Sequence, residues 1–441
     1  MNFRDELTKI CNEYPDLKLD FRYQIWETDF LRFYQSQTNY NISKKSYSLS
    51  TTMYKGKKSY SFSLINPDRE KLIEKIKAGL EIIDGLPEDP DFIDLEDDLT
   101  KSEEKKKANN IEIVSLDKKI SILDKIARAV KPFNFKVFGT FICNYRILYI
   151  VNSNGLNKRE INSPIFLEVK AVSDQNQVTV LESYGGENFS TFDETRFIKN
   201  LTAKVKAATN EIIDVEPGEY EVVFAPRCIG EYLLYLESGL SARSLDHKQS
   251  FFEGKIGKKI FPETVTIYDD PDHPNLINFD YNNDGHIYKK ILIIENGVFK
   301  NFIVDNYYGR KLNMEKNGAD GSALVMSTGD KNWEELIGSV KKGLYISSLH
   351  YMNFINQKET SITGLTRDGT FLIENGKLTK VVNNLRFTEK ITDIIENITE
   401  IENQSYTVPY SSNYDEFGIY SVRMPHVKVK GFKISSSTRT I

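Results

Sequence analysis

The chain has 441 residues, 40% hydrophobic and 27% charged, with 26 Phe and 24 Tyr, enough apolar material for a sizeable core and too much for a disordered or fibrous chain. Lys and Arg number 58 against 63 Asp and Glu, a formal charge of −5, so no net field draws it to nucleic acid or an anionic membrane. Its 3 cysteines, Cys11, Cys143 and Cys228, are far apart and offer no disulfide framework or CxxC pair; with no apolar leader before Leu19, a soluble cytoplasmic protein is expected.

Up to Tyr60 the residues alternate, and Phe21–Glu27 and Ser46–Ser50 read as half-buried strands. After Asn66-Pro67-Asp68 the period changes: Leu72, Ile76, Leu80 and Ile83 predict a helix. Gly85 to Asn110 is acidic, then mixed in charge, and reads as an exposed connection with at most one helical turn. Leu116, Ile120, Leu123, Ile126 and Val130 predict a second helix, ended by Pro132. Strands return from Phe135 to Tyr184 around turns at Asn152–Gly155 and Asp174–Asn176, and a helix is predicted from Asp193 to about Ile213. These elements make an α+β N-terminal domain over 1–215.

Glu216-Pro217-Gly218 marks a change of texture. A strand over Tyr220–Ala225 and a helix over Arg227–Leu236 lead into strands cut by Gly, Asn and Asp, a large, mainly antiparallel, barrel-like β domain over 216–441. Asn296-Gly297 and Asn375-Gly376, each between apolar runs, predict two tight hairpins, because both turn residues need positive φ.

Chemistry is sparse. No two of the 5 histidines lie at helical zinc-pair spacing, and nucleophile-elbow, P-loop and dinucleotide motifs are missing. Asp280-Tyr-Asn-Asn-Asp-Gly285 fits half of a calcium loop, but the bidentate Glu position is Ile291, so a polar turn is the better reading. Asp269-Asp270-Pro271-Asp272-His273 reads as an acidic turn, with a carboxylate metal site as the alternative. In Gly343–His350, alternation puts Tyr345, Ser347 and Leu349 on one face and Ile346, Ser348 and His350 on the other, with no evident base partner for His350.

Glu216–Pro226, Ser250–Pro262, Val265–Pro271, Phe279–Gly285, Ile294–Gly297, Gly343–Ile346 and Phe371–Leu378, in that order, resemble the C-terminal half of the TldD/PmbA family; Pro87–Phe92 matches it more loosely in the N-terminal half. The resemblance implies a metalloprotease built from two related chains. One carries H-E-x-x-x-H and a late Cys for zinc, while the other, the TldE or PmbA branch, lacks them. Counting back from Gly257, the motif would occupy 233–238, where Leu233 and Leu234 replace the first His and the Glu, and Ser238 replaces the second His; no Cys follows Cys228. The resemblance therefore implies a TldE-type chain with no catalytic residue and no metal of its own, zinc residing in a TldD-like H-E-x-x-x-H partner subunit.

It further implies an unfolded peptide as substrate, held as an added strand along an edge near Tyr345, Ile346 and Ser347, with His350, Thr363 and Gly364 as further substrate-binding candidates. No direct contact with nucleic acid or membrane is expected, and the chain alone could form a homodimer. There are two departures: Met352–Gly364 is bulkier and more polar than the branch's usual Gly- and Ser-rich stretch, and Leu385–Lys390 replaces its A-G-N-L segment. A stand-alone peptide-binding or scaffold protein of the same fold is the alternative, and a hydrolase using the 269–286 Asp/His cluster is a third reading.

Overall fold

A computed structural model describes residues 3–97, 114–187, 189–277, 279–411 and 418–438. The first sheet is seven-stranded and antiparallel, in the order Lys58–Ile65, Gln37–Lys55, Lys18–Tyr34, Phe135–Asn152, Ile165–Ser173, Thr179–Gly186, with Asn157–Asn162 alongside Phe135–Asn152. Odd-numbered residues of Lys18–Tyr34 (Leu19, Phe21, Leu31, Phe33) face four helices, Phe3–Glu13, Arg69–Ile83, Leu116–Val130 and Glu194–Ala207. The opposite face meets the C-terminal half through Phe30, Ile142 and Phe166, which pack with Ile277 and Ile419. Side-chain caps start three of the helices at Asp68, Ser115 and Asp193, each accepting a backbone N–H three residues on.

The C-terminal half closes on itself. Strands Lys342–Asn356, Gly218–Phe224, Val427–Thr438, Asn384–Lys390 and Ser361–Glu374 pair in turn, and the last returns to pair with the first, closing a five-stranded barrel. Closure removes sheet edges, the usual sites of unwanted pairing. Phe224, Phe387 and Phe432 form an aromatic cluster in which Tyr232 of helix Pro226–Glu237 meets Phe224 edge-on at 5.5 Å. A second sheet of six short strands, from Val298–Phe299 to Tyr406–Ser411, packs into the same core.

The α+β class and the barrel agree with the sequence reading, and so do both hairpins. Asn296 and Gly297 have φ of 49° and 78°, Asn375 and Gly376 of 49° and 75°. Three readings need correction. Phe3–Glu13 is a helix inside the stretch read as purely alternating, and its Leu7 and Ile10 are fully buried. The helix expected to reach Ile213 stops at Ala207; Ile212–Ile213 is instead a strand that pairs in parallel with Lys377–Val382, so the chain joins the C-terminal sheet before residue 216. The connection read as exposed is partly packed over 85–97, where Glu96 is buried and accepts from Asn306 Nδ2 at 2.8 Å and Lys316 Nζ at 2.7 Å; it holds no helix there, and the remainder to Asn110 lies outside the described residues. Among the described residues no helix is long and apolar enough to cross a membrane.

Candidate functional site

Strand Gly218–Phe224 runs into helix Pro226–Glu237, whose Pro226 occupies the first turn, where no N–H is needed. Ile229, Tyr232, Leu233 and Leu236 recur at helical spacing and are all at most 2% exposed. Of the positions expected to hold a degenerate zinc motif, Leu233 is thus part of the core, Leu234 is half-buried against it, and Ser238 caps the helix C-terminus, its Oγ donating to Tyr235 O at 2.7 Å. Zinc does not fit here: two of the three side chains are hydrocarbon, and the third spends its hydroxyl hydrogen on the backbone. The neighbouring Glu237 carboxyl is pushed up to about 7 by burial and then by Asp320 and Asp269. Cys228 faces the core, its Sγ donating to Ile346 O at 3.3 Å, and burial raises its thiol well above the usual range. Among the described residues no three of His, Cys, Asp and Glu are grouped to hold a metal ion.

The expected substrate edge is only partly an edge. Tyr345 and Ile346 pair with Val223 and Phe224 on one side and with Phe371 and Thr370 on the other, so their backbone groups are spent within the barrel. This corrects the placing of an open edge at Tyr345–Ile346; pairing to Gly218–Phe224 ends at Ile346. The alternation read for Gly343–His350 also fails. Register shifts between Ile346 and Ser348, and Leu349 enters the same core as Ile346 while Tyr345 enters another. The cause is a bulge in the partner strand: Asp368 (φ 54°) and Gly369 (φ 115°) lie between the residues paired with Ile346 and Ser348.

Of the remaining candidates, Ser347 is buried opposite that bulge. Gly364 is a packing position, where a Cβ would lie 2.7 Å from Phe387 Cζ. Thr363 donates its Oγ1 proton to Phe387 O at 3.1 Å. His350 sits half-buried on the outer face opposite Leu365, its ring 4.2 Å from that of exposed Tyr351. Burial and then Arg367 hold its imidazole below the ordinary range. The structure thus brings His350, Thr363 and Arg367 onto neighbouring positions of the two strands and turns Tyr345, Ile346 and Gly364 inward.

Sequence reasoning missed a buried cluster around Tyr345. Glu402 Oε2 lies 2.7 Å from His426 Nδ1 and Tyr406 OH donates to Glu402 Oε1 at 2.9 Å, while His426 Nε2 lies 3.4 Å from Tyr345 OH. Burial pushes the His426 imidazole down, Glu402 opposing it. These residues come from separate strands and loops, so no spacing could reveal them.

In the 269–286 stretch, Asp269, Asp270 and Asn282 are held by local hydrogen bonds and an ion pair. Asp269 accepts the Tyr288 hydroxyl at 2.7 Å and the backbone N–H groups of Gly321 at 2.8 Å and Ala323 at 3.0 Å. Asp270 pairs with Lys290 at 2.9 Å, and Asn282 Oδ1 accepts the N–H groups of Asp284 and His286 at 3.0 Å, the polar turn expected of the calcium-loop mimic.

Residues 217–436 match the PmbA/TldA metallopeptidase C-terminal domain. The chain is 26% identical over 381 residues to a zinc metalloprotease TldD homolog of Saccharolobus solfataricus, spanning 79% of this chain and 80% of that one. It is 24% identical over 225 residues to the metalloprotease PmbA of Escherichia coli O157:H7, 48% of this chain and 45% of the relative. The crystal structure of TldE from Thermococcus kodakarensis superposes with a TM-score of 0.88 at 19% identity, covering 98% of this chain and 99% of that one, and so shares the fold.

Proposed function

The chain belongs to the TldD/PmbA metalloprotease family, and from that premise we propose that it is the non-catalytic, TldE-type subunit of a heterodimeric zinc metalloprotease acting on unfolded peptides. What supports the reading is the helix Pro226–Glu237, in which Leu233 and Leu234 pack and Ser238 caps at the positions that the family resemblance assigns to the zinc motif. A partner chain with H-E-x-x-x-H supplies the zinc and the general base. This chain contributes a surface that holds an extended peptide, which past Ile346 includes His350 and Thr363. The reaction itself then involves none of its side chains: its role is to bind and orient the substrate, lowering the entropy cost of presenting an extended segment to the partner's metal. The reading favours a cytoplasmic location, where unfolded polypeptide is generated.

The test is cleavage of a denatured peptide by this chain, by its H-E-x-x-x-H relative, and by the mixture. Cleavage by the mixture alone supports the proposal. Chelator-resistant cleavage by this chain alone overturns it, and a peptide-binding chain that never supports a relative's activity is the stand-alone binding protein.

A further inference from the structure

On the outer face of the barrel, strands Lys342–Asn356, Ser361–Glu374 and Asn384–Lys390 lie side by side, and register sets His350, Leu365 and Arg386 in one row. Arg367 follows two residues beyond Leu365 on the same face, opposite Ser348. Two cations on one sheet face ordinarily find carboxylates. Among the described residues, neither the half-buried Arg367 nor the exposed Arg386 has a side-chain hydrogen bond or ion pair. The carboxylate next in the chain is already committed: Asp368 is 3.0 Å from Lys170 Nζ and accepts Thr179 Oγ1 at 2.7 Å.

Arg367 also borders a cavity of about 460 Å³, whose other lining includes Asp214, Asp368, Gly369, Ile212, Val381 and Asn383. The bulge residues Asp368 and Gly369 line this cavity, and Ser347 packs closely behind them: a Cβ on Gly369 would lie 2.8 Å from Ser347 Oγ. Asn176, Gln177 and Val178, in the turn that precedes strand Thr179–Gly186, also line the cavity.

We propose that this corner binds the C-terminal carboxylate of an extended peptide, Arg367 gripping the carboxylate and the 460 Å³ cavity receiving the last side chain. The guanidinium fork matches a carboxylate with two parallel N–H···O bonds, and Ile212, Val381 and Asn383 offer apolar and amide surface to one side chain, while the lining carboxylates Asp368 and Asp214 are held by Lys170 and Thr179 and by Asn383 and Ser437. Arg386 adds a second positive charge along the approach. The inference rests on the peptide-holding reading above and deepens it by stating which end of the peptide is held and where. His350 is the internal reporter, because Arg367 is among the groups that depress its imidazole. A carboxylate on Arg367 offsets that field and raises the His350 pKa.

The test uses the full chain and a fluorescent, unstructured decapeptide in three forms: free acid, C-terminal amide, and amide with one internal Glu. Anisotropy titration is expected to give the free acid at least tenfold tighter binding than either amide. Arg367→Gln should erase that difference, with NMR titration showing the His350 pKa rising only when the free acid is bound to the parent. Equal binding of acid and amide overturns the carboxylate site and leaves the peptide-holding reading standing. Equal binding of the internal-Glu amide and the acid overturns the terminal assignment. Binding of none of the three overturns both readings.

Discussion

Replacing Leu233 by His puts an imidazole where the family resemblance sets the first His of the zinc motif, and the structure says what that costs. Leu233 is 2% exposed in the largest hydrophobic core. The substitution forfeits ~2 kcal/mol of apolar burial. An imidazole there has no hydrogen-bond partner, which adds ~1–3 kcal/mol. The expected loss of unfolding free energy is therefore about 3–5 kcal/mol, large against the total stability of an ordinary domain. It also acquires a pH dependence. Burial holds the folded-state imidazole below its unfolded value of about 6.5, so the unfolded chain takes up the proton first, and stability falls further as pH drops through that value. Equilibrium urea unfolding followed by circular dichroism, at about pH 8 and about pH 5.5, measures both effects. Ser238→His, at a partly exposed cap, is the control and should lose only ~1 kcal/mol with its hydroxyl bond to Tyr235. If Leu233→His unfolds within ~1 kcal/mol of the parent at both pH values, the position is not the packing position described here.

Gly364→Ala should destabilise by ~1–3 kcal/mol in the same assay, because the new methyl lies 2.7 Å from Phe387 Cζ and 3.0 Å from Met352 Cγ. Gly297→Ala should cost more than ~1 kcal/mol and shift the hairpin, since φ is +78° and a Cβ would lie 2.1 Å from Phe261 O; an unchanged unfolding midpoint contradicts this. Glu237, pushed up to about 7, holds an extra proton in the folded chain above its ordinary 4.5, so that part of the stability is present in acid and lost as pH rises toward 7. Glu237→Gln should flatten that slope and gain up to ~2 kcal/mol over the parent above pH ~7, after discounting for partial exposure; parallel pH profiles contradict it.

Local periodicity made much of the fold legible. Leu72, Ile76 and Ile83 announced their helix, and the two Asn-Gly pairs announced their hairpins, because those signals are confined to a few consecutive residues. Helix Phe3–Glu13 carried the same signal in Phe3, Leu7 and Ile10, hidden by the longer alternating stretch that follows. Barrel closure was not visible beyond its class, since pairing of Gly218–Phe224 with both Lys342–Asn356 and Val427–Thr438 joins segments far apart in sequence. The same limit explains the edge misplaced at Tyr345–Ile346 and the unseen Glu402–His426–Tyr345 cluster. A strand reads identically whether one or two neighbours cover its backbone, and a bulge such as Asp368–Gly369 resets the facing without changing composition. The ordered family blocks fared better, because they are spread along the whole C-terminal half, as the match over 217–436 is.

The central claim, that this chain lends a peptide-holding surface and no metal to its partner, is tested most directly by zinc content measured on the purified chain and on its complex with an H-E-x-x-x-H relative. The account predicts no stoichiometric zinc on the chain alone after mild chelator washing and a single zinc per heterodimer, lost with cleavage activity when the relative's first His is replaced. One zinc retained by the isolated chain, or a second zinc in the complex that survives replacement of the relative's His, would contradict it.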